Sequence, residues 1–127
     1  MAYGTTAGLD AVFGGVTVTS WADVDNDGSA LKIAARKAAA IAFADAEIDA
    51  LLQDTHYRKP FVTSSAATPT VIAHLANIRA GIWLKAARGQ DSYDEKGAPE
   101  DSLTAHRNEY NATIAHIRAG ELRLDAL

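Results

Sequence analysis

The stretch that decides the fold is residues 29–54, which read SALKIAARKAAAIAFADAEIDALLQD. Its apolar side chains recur every three or four residues, and this is the period of an amphipathic helix. The predicted buried stripe comprises Leu31, Ala34, Ala38, Ile41, Asp45, Ile48 and Leu52. Alanine loses no side-chain entropy in a helix, and its small side chain lets neighbouring helices approach closely. The spacing therefore predicts one long, central core helix.

The composition extends this prediction to the whole chain. The 127 residues are enough for one domain with a hydrophobic core, and they include 27 alanines, nine glycines and three prolines. Because alanine favours helices and disfavours strands, we expect an all-α fold. The chain contains no cysteine, so disulfides, thiol nucleophiles and thiolate metal sites are excluded.

A short helix and an extended segment are predicted before the central helix. Thr6 is a suitable cap for a helix over residues 6–13, and Gly14-Gly15 ends it because glycine readily reaches the left-handed conformation. Residues 16–19, Val-Thr-Val-Thr, alternate apolar and polar side chains. Such alternation is typical of extended backbone, although four residues are too few to form a sheet alone.

Two more major helices are predicted after a connector over residues 55–68. One begins after Thr68-Pro69, where proline's missing N–H costs nothing, and ends at Gly89. The other runs over residues 99–119 and ends at Gly120. Their predicted buried residues are Val71, Ile72, Leu75, Ile78, Ile82 and Ala86 in the first, and Leu103, His106, Tyr110, Ile114 and Ile117 in the second.

These elements make up one expected domain, 1–127. A short helix and an acidic loop (1–28) lead into a small bundle of three major helices (29–119), followed by an extended tail (120–127). The tail alternates leucine with charged residues, whereas chain termini are usually polar throughout. Two interpretations stay open: the tail binds another chain as a strand or in a groove, or it folds back over its own core.

Residues 23–28, Asp-Val-Asp-Asn-Asp-Gly, resemble the beginning of a calcium loop. Asp23, Asp25 and Asp27 provide oxygen ligands at alternate positions, as such loops require. The twelfth position, which should be a bidentate glutamate, is Ala34. We therefore favour a turn in which the carboxylates accept hydrogen bonds from nearby backbone N–H groups. A calcium-responsive helical binding module is the alternative, and calcium titration monitored by Trp21 fluorescence distinguishes the two.

The remaining polar residues form no catalytic pattern. The four histidines, His56, His74, His106 and His116, are scattered and make no H-E-x-x-H motif. His106 lies on an apolar stripe, which is more typical of a core or interface residue than of a metal ligand. Neither a nucleophile elbow nor a phosphate-binding glycine loop is present. The sequence therefore predicts neither an enzyme nor a cofactor-binding protein.

Charge and hydropathy exclude two further classes of function. The net charge of −4 argues against duplex nucleic acid as the main binding partner, because such binding depends on a basic surface. The apolar runs are far shorter than the roughly 18 residues that a membrane span needs. The first residues are not typical of a secretory signal, since no apolar stretch follows a basic region.

The charged residues of the long helix are distributed in the order opposite to the one that the helix dipole favours, which is anions near the N-terminus and cations near the C-terminus. Its first half carries cations and its second half carries carboxylates, at a cost of a few tenths of a kcal/mol each. One explanation is that the upstream acidic loop offsets the basic half locally. Another is a head-to-tail ring in which the basic half of one copy faces the acidic half of the next. The predicted inter-subunit residues are Lys32, Arg36, Lys37, Asp45 and Asp49.

Several segments, taken in order, resemble one known family. They are the opening at residues 3–14, the Asp-rich turn at 23–28, the stretches Ala-Glu-Ile-Asp-Ala-Leu-Leu at 46–52 and Tyr-Arg-Lys-Pro-Phe at 57–61, and the closing helix with its Ala-Gly and short leucine-containing segment at 110–124. Together they resemble the head–tail connector, or adaptor, proteins of tailed bacteriophages, especially the Mu-like branch.

The resemblance implies a non-enzymatic structural protein in the neck of the virion, assembled in the host cytoplasm. Such adaptors dock as a dodecameric ring on the portal protein, extend the channel through which genomic DNA passes, and present a surface to the tail or stopper protein. Their C-terminal segment reaches onto the portal. By this match, the portal-binding residues here are Glu121, Leu122, Arg123, Leu124 and Leu127.

Overall fold

The computed structural model describes residues 3–23, 25–53, 55, 61, 67–88 and 103–120. Within these ranges the chain forms five helices and no strand, so the all-α prediction is confirmed. The helices are α1 (Thr6–Phe13), α2 (Gly15–Ala22), α3 (Ala30–Leu51), α4 (Thr70–Arg88) and α5 (Thr104–Ala119). In the part of the chain described, no helix has the length and apolar character to cross a membrane.

The segment before α3 differs from the prediction. Residues 16–19 are helical within α2, not extended. Gly14 has a φ of 91° and redirects the chain between α1 and α2, so that Val18 and Trp21 fall on one buried face. Burial of these two side chains outweighs the strand preference of a Val-Thr-Val-Thr sequence. The cap of α1 is also one residue earlier than predicted, because the Thr5 hydroxyl accepts a hydrogen bond from the Gly8 N–H at 2.9 Å.

The long central helix lies where the sequence places it, but it buries a different face at its beginning. Ser29 caps α3 by accepting from the Lys32 N–H, and the Leu52 N–H closes the helix by donating to the Ile48 carbonyl. The predicted stripe is correct from Ile41 onward and wrong before it, since Leu31 is 82% exposed. The buried residues of α3 are Lys37, Ala40, Ile41, Ala44, Asp45 and Ile48.

Helix α4 is the centre of the fold, because it contacts each of the other four helices. Its beginning agrees with the prediction, as the Pro69 carbonyl accepts from the Ala73 N–H at 3.0 Å. Gly81 lies directly against the ring of Phe13, and a Cβ there would overlap that ring, so the Phe13 side chain of α1 packs on the bare backbone of α4. Five of the six predicted buried residues of α4 are at least half-buried, whereas Ala86 is exposed.

Helix α5 packs against α4 and also contacts side chains of α1 and α3. Leu103, Tyr110, Ile114 and Ile117 are buried as predicted, and the His106 ring packs 5.0 Å from the ring of Phe13. Gly120 ends the helix in the left-handed conformation, with a φ of 78°, and its N–H donates to the Ile117 carbonyl. The predicted tail beyond Gly120 and most of the connector over 55–68 lie outside the described residues.

Candidate interaction face

The outward side of α3 is apolar although it is exposed. Phe43 is 40% exposed and Leu31 is 82% exposed. Lys32 is the only charged residue of α3 with a largely exposed side chain, since the others are buried or half-buried. We call this surface the outer face of α3. It comprises Leu31, Ala34, Ala35, Ala38, Ala39, Ala42, Phe43, Ala46 and Ala50. The exposed side of a surface helix normally carries charged and polar residues, and a contiguous apolar patch marks an interaction site.

A row of cationic and aromatic side chains borders the outer face where α3 meets α4. The guanidinium of Arg36 lies 4.8 Å from the centre of the Trp83 ring, and the Trp83 ring stacks on Phe43 at 6.2 Å. The Arg79 guanidinium lies 4.9 Å from the centre of the Phe43 ring. We call these four residues the cation–aromatic row. Arginine and tryptophan are enriched among the residues that contribute most to binding at protein interfaces.

The row is held in place at its α5 end by a hydrogen-bonded carboxylate. Glu47 accepts from the Arg79 guanidinium and from the Tyr110 hydroxyl, the latter at 3.2 Å. Burial and the Glu47 carboxylate raise the pKa of Tyr110, so its hydroxyl remains a neutral donor. These groups, together with Arg107 and Asn111, line a cavity of about 310 Å³. The Arg79 side chain is therefore fixed before any partner binds.

The two lysines predicted at the subunit interface have carboxylate partners within the chain. Lys32 lies 3.2 Å from a carboxylate oxygen of Asp25 and 2.8 Å from one of Asp27. Lys37 is buried, and its ammonium group lies 3.3 Å from an Asp10 carboxylate oxygen. The carboxylates of the acidic loop thus compensate the positive charge of Lys32 at the beginning of α3. This agrees with the first explanation given above, in which the loop offsets the basic half of the helix locally. A contact of these lysines with another copy stays a prediction.

The two carboxylates predicted at the interface bind the segment that precedes α1. Asp45 is buried and accepts from the Gly4 N–H at 3.2 Å, while Asp49 accepts from the Tyr3 hydroxyl at 2.5 Å. The Tyr3 hydroxyl in turn accepts from the Phe61 N–H at 3.2 Å. Their role between copies is likewise still a prediction, whereas their role within the subunit is to fix its N-terminal segment on α3.

The acidic loop makes the hydrogen bonds of a turn. The Asp23 carboxylate accepts from the N–H groups of Asp27 and Gly28, and the Asp27 carboxylate accepts from the Ser29 N–H at 3.0 Å. Its hydrogen bonds to Lys32 and Ser29 lower the pKa of Asp27. In the ranges that the structure describes, no group of three or more His, Cys, Asp or Glu side chains is placed to hold a metal ion.

Replacing Asp45 by asparagine is expected to stabilise the protein at neutral pH. Burial raises the pKa of Asp45 above that of an unfolded chain, so the folded state loses stability as the pH rises through that pKa. Asparagine retains an oxygen that accepts from Gly4 and carries no charge. We expect a gain of up to about 1 kcal/mol in unfolding free energy at pH 7, which disappears below about pH 4.

Urea unfolding of the two proteins at several pH values measures this difference. Asp45→Ala is the matched control, because it removes the charge and also the acceptor of the buried Gly4 N–H, and we expect it to destabilise the fold. A D45N variant that is less stable than the wild type at pH 7 would contradict the prediction.

Sequence reasoning missed most of this candidate site. Arg36 was expected at an interface for its charge alone, and nothing in the one-dimensional pattern pairs it with Trp83 on another helix. The exposure of Phe43 could have been predicted, because the helical spacing puts it on the side of α3 opposite Ile41 and Ile48. The predicted portal-binding residues Glu121, Leu122, Arg123, Leu124 and Leu127 lie outside the described residues.

In comparisons with known proteins, no family model, no curated protein and no solved structure matches the chain.

Proposed function

We propose that this protein is a head–tail adaptor of a tailed bacteriophage, a structural virion protein that works by assembly. Copies form a ring on the portal protein, dodecameric by the family resemblance, and join the DNA-filled head to the tail or stopper. The observation that carries this proposal is the outer face of α3, an apolar surface on the longest helix among the described residues.

The dimensions of this face support contact with another protein. Helix α3 has 22 residues and is about 33 Å long, which is comparable to the diameter of a small domain. Covering apolar surface contributes roughly 25 cal/mol per Å². The alanines allow the backbone of a partner helix to approach closely, and larger contacts come from Leu31 at the beginning of α3 and Phe43 just past its middle.

A ring requires that each neighbour contact the outer face of α3 with a different surface of its own, which is a heterologous contact. Repeated contacts of this kind close into a ring when the rotation between subunits permits. The chain's net charge of −4 suits a channel through which genomic DNA passes without sequence-specific binding.

Negative-stain electron microscopy of the full chain mixed with purified portal protein tests the proposal. The expected result is an additional ring of density on one end of the portal, with a regular number of subunits. The portal alone and the chain alone serve as controls. Portal particles without added density at saturating protein concentration would overturn the proposal.

A further inference from the structure

We infer that the cation–aromatic row, Arg36, Trp83, Phe43 and Arg79, binds an acidic segment of a second copy of this chain. The inference rests on the proposed function, because it requires copies to contact one another. It adds the chemistry of that contact: carboxylates meet two arginines whose positions are fixed by aromatic rings, beside an apolar surface.

The Arg36 guanidinium has unused capacity to bind a carboxylate. Its Nε is buried, and within the described part of the chain it has no hydrogen-bond partner. The charge is held over the Trp83 ring at 4.8 Å, and no described carboxylate lies within ion-pair distance of it. That Nε lies inside the subunit, so a partner's carboxylate would pair with the remaining part of the guanidinium and neutralise its charge.

The geometry of the row suits a planar anion. Arg79 is oriented by Glu47 and by the Phe43 ring, and Arg36 is oriented by Trp83. A guanidinium binds a carboxylate through two parallel hydrogen bonds when it is fixed in one plane. Because the side chains are already ordered, less conformational entropy is lost on binding.

The sequence of the chain contains a complementary acidic segment. Residues 91–101 include five carboxylates and one lysine, a surplus equal to the net charge of the whole chain. These carboxylates are Asp91, Asp94, Glu95, Glu100 and Asp101. The charge of this segment is therefore opposite to that of the row, and charge complementarity of this kind selects the partner and its orientation.

A second copy explains the neighbouring apolar surface better than a small anion does. Phe43 belongs both to the row and to the outer face of α3, so the two surfaces are continuous. A free anion would occupy the arginines and leave the alanines exposed. Nucleic acid is disfavoured, because a chain with a net charge of −4 repels a phosphate backbone.

A charge-reversal experiment on the full chain tests the inference. Arg36→Glu and, separately, the double variant Asp94→Lys with Glu95→Lys are each expected to raise the concentration needed for self-assembly by about tenfold or more. An equimolar mixture of the two variants should recover part of that loss, because each provides the charge that the other lacks. Native mass spectrometry reads the oligomers, and circular dichroism verifies that each variant folds.

The outcomes separate this inference from the proposed function. If the wild type assembles and Arg36→Glu assembles equally well, the inference is overturned and the adaptor proposal stands. If both charge variants weaken assembly and their mixture shows no recovery, residues 94 and 95 do not meet the row and the inference is overturned as well. A wild type that remains monomeric at every concentration, with and without portal protein, overturns both.

Discussion

Phe43→Glu is expected to abolish assembly of the proposed ring while the single subunit remains folded. Phe43 lies on the outer face of α3 and stacks on Trp83, yet it is 40% exposed, so the subunit itself tolerates a polar residue there. The substitution removes the largest apolar side chain of the outer face and places a carboxylate beside Arg79, where it would repel the acidic segment of the next copy, at a cost to the contact between subunits. Every subunit contact in the ring carries this cost. We expect sedimentation velocity to show monomer at concentrations about 100-fold above those at which the wild type assembles.

Val16→Glu is the matched control for this experiment. Val16 is 89% exposed on α2 and is not part of the outer face of α3, and the substitution introduces the same charge in place of an apolar residue. We expect V16E to assemble like the wild type. If V16E also remains monomeric, the loss of assembly results from added negative charge in general and not from a change in the outer face of α3. If F43E forms rings with a folded subunit, the outer face of α3 is not the contact between copies.

The helices were predictable from the sequence wherever apolar periodicity and stop signals agreed. Helix α1, the long α3 and the end of α5 at Gly120 all follow from spacing and from residues that suit the ends of helices. Helix α2 did not follow, because the local strand preference of residues 16–19 conflicts with the helical spacing of Val18 and Trp21. Only the surface against which α2 packs decides between the two conformations, and α1, α3 and α4 all contribute to it; the Phe13 ring of α1, for example, lies 5.4 Å from the Trp21 ring.

The candidate face was harder to predict because alanine occurs readily on either side of a helix. In α3 every third or fourth position is apolar on two different faces, so the pattern predicts a helix without indicating which face is buried. Leu31 was assigned to the core on this basis and is exposed. The charged residues leave a different ambiguity, because a contact within the subunit does not decide whether the same residue also contacts another copy. Lys37 and Asp45 suggested contacts between subunits, yet both are buried and bound to groups in the N-terminal part of the same chain.

Tyr3→Ala is expected to lower the free energy of unfolding by about 3–5 kcal/mol, the usual cost of truncating a large buried aromatic side chain. Tyr3 is 2% exposed and its ring packs 5.8 Å from that of Phe61. Its hydroxyl joins the Asp49 carboxylate on α3 to the Phe61 N–H on the connector. Burial and Asp49 raise the pKa of Tyr3, so the hydroxyl stays neutral and donates throughout the physiological range.

Tyr3→Phe separates the two contributions, because it retains the buried ring and removes only the hydroxyl. We expect a smaller loss of about 1–3 kcal/mol, since the Phe61 N–H is left without this acceptor and Asp49 without this donor. Urea unfolding monitored by tryptophan fluorescence measures both variants. Equal losses for Y3A and Y3F would assign the whole effect to the hydroxyl, whereas an unchanged Y3A would show that the opening segment contributes nothing to stability. The expected order, Y3A below Y3F below wild type, requires that this N-terminal tyrosine holds α3 and the connector together.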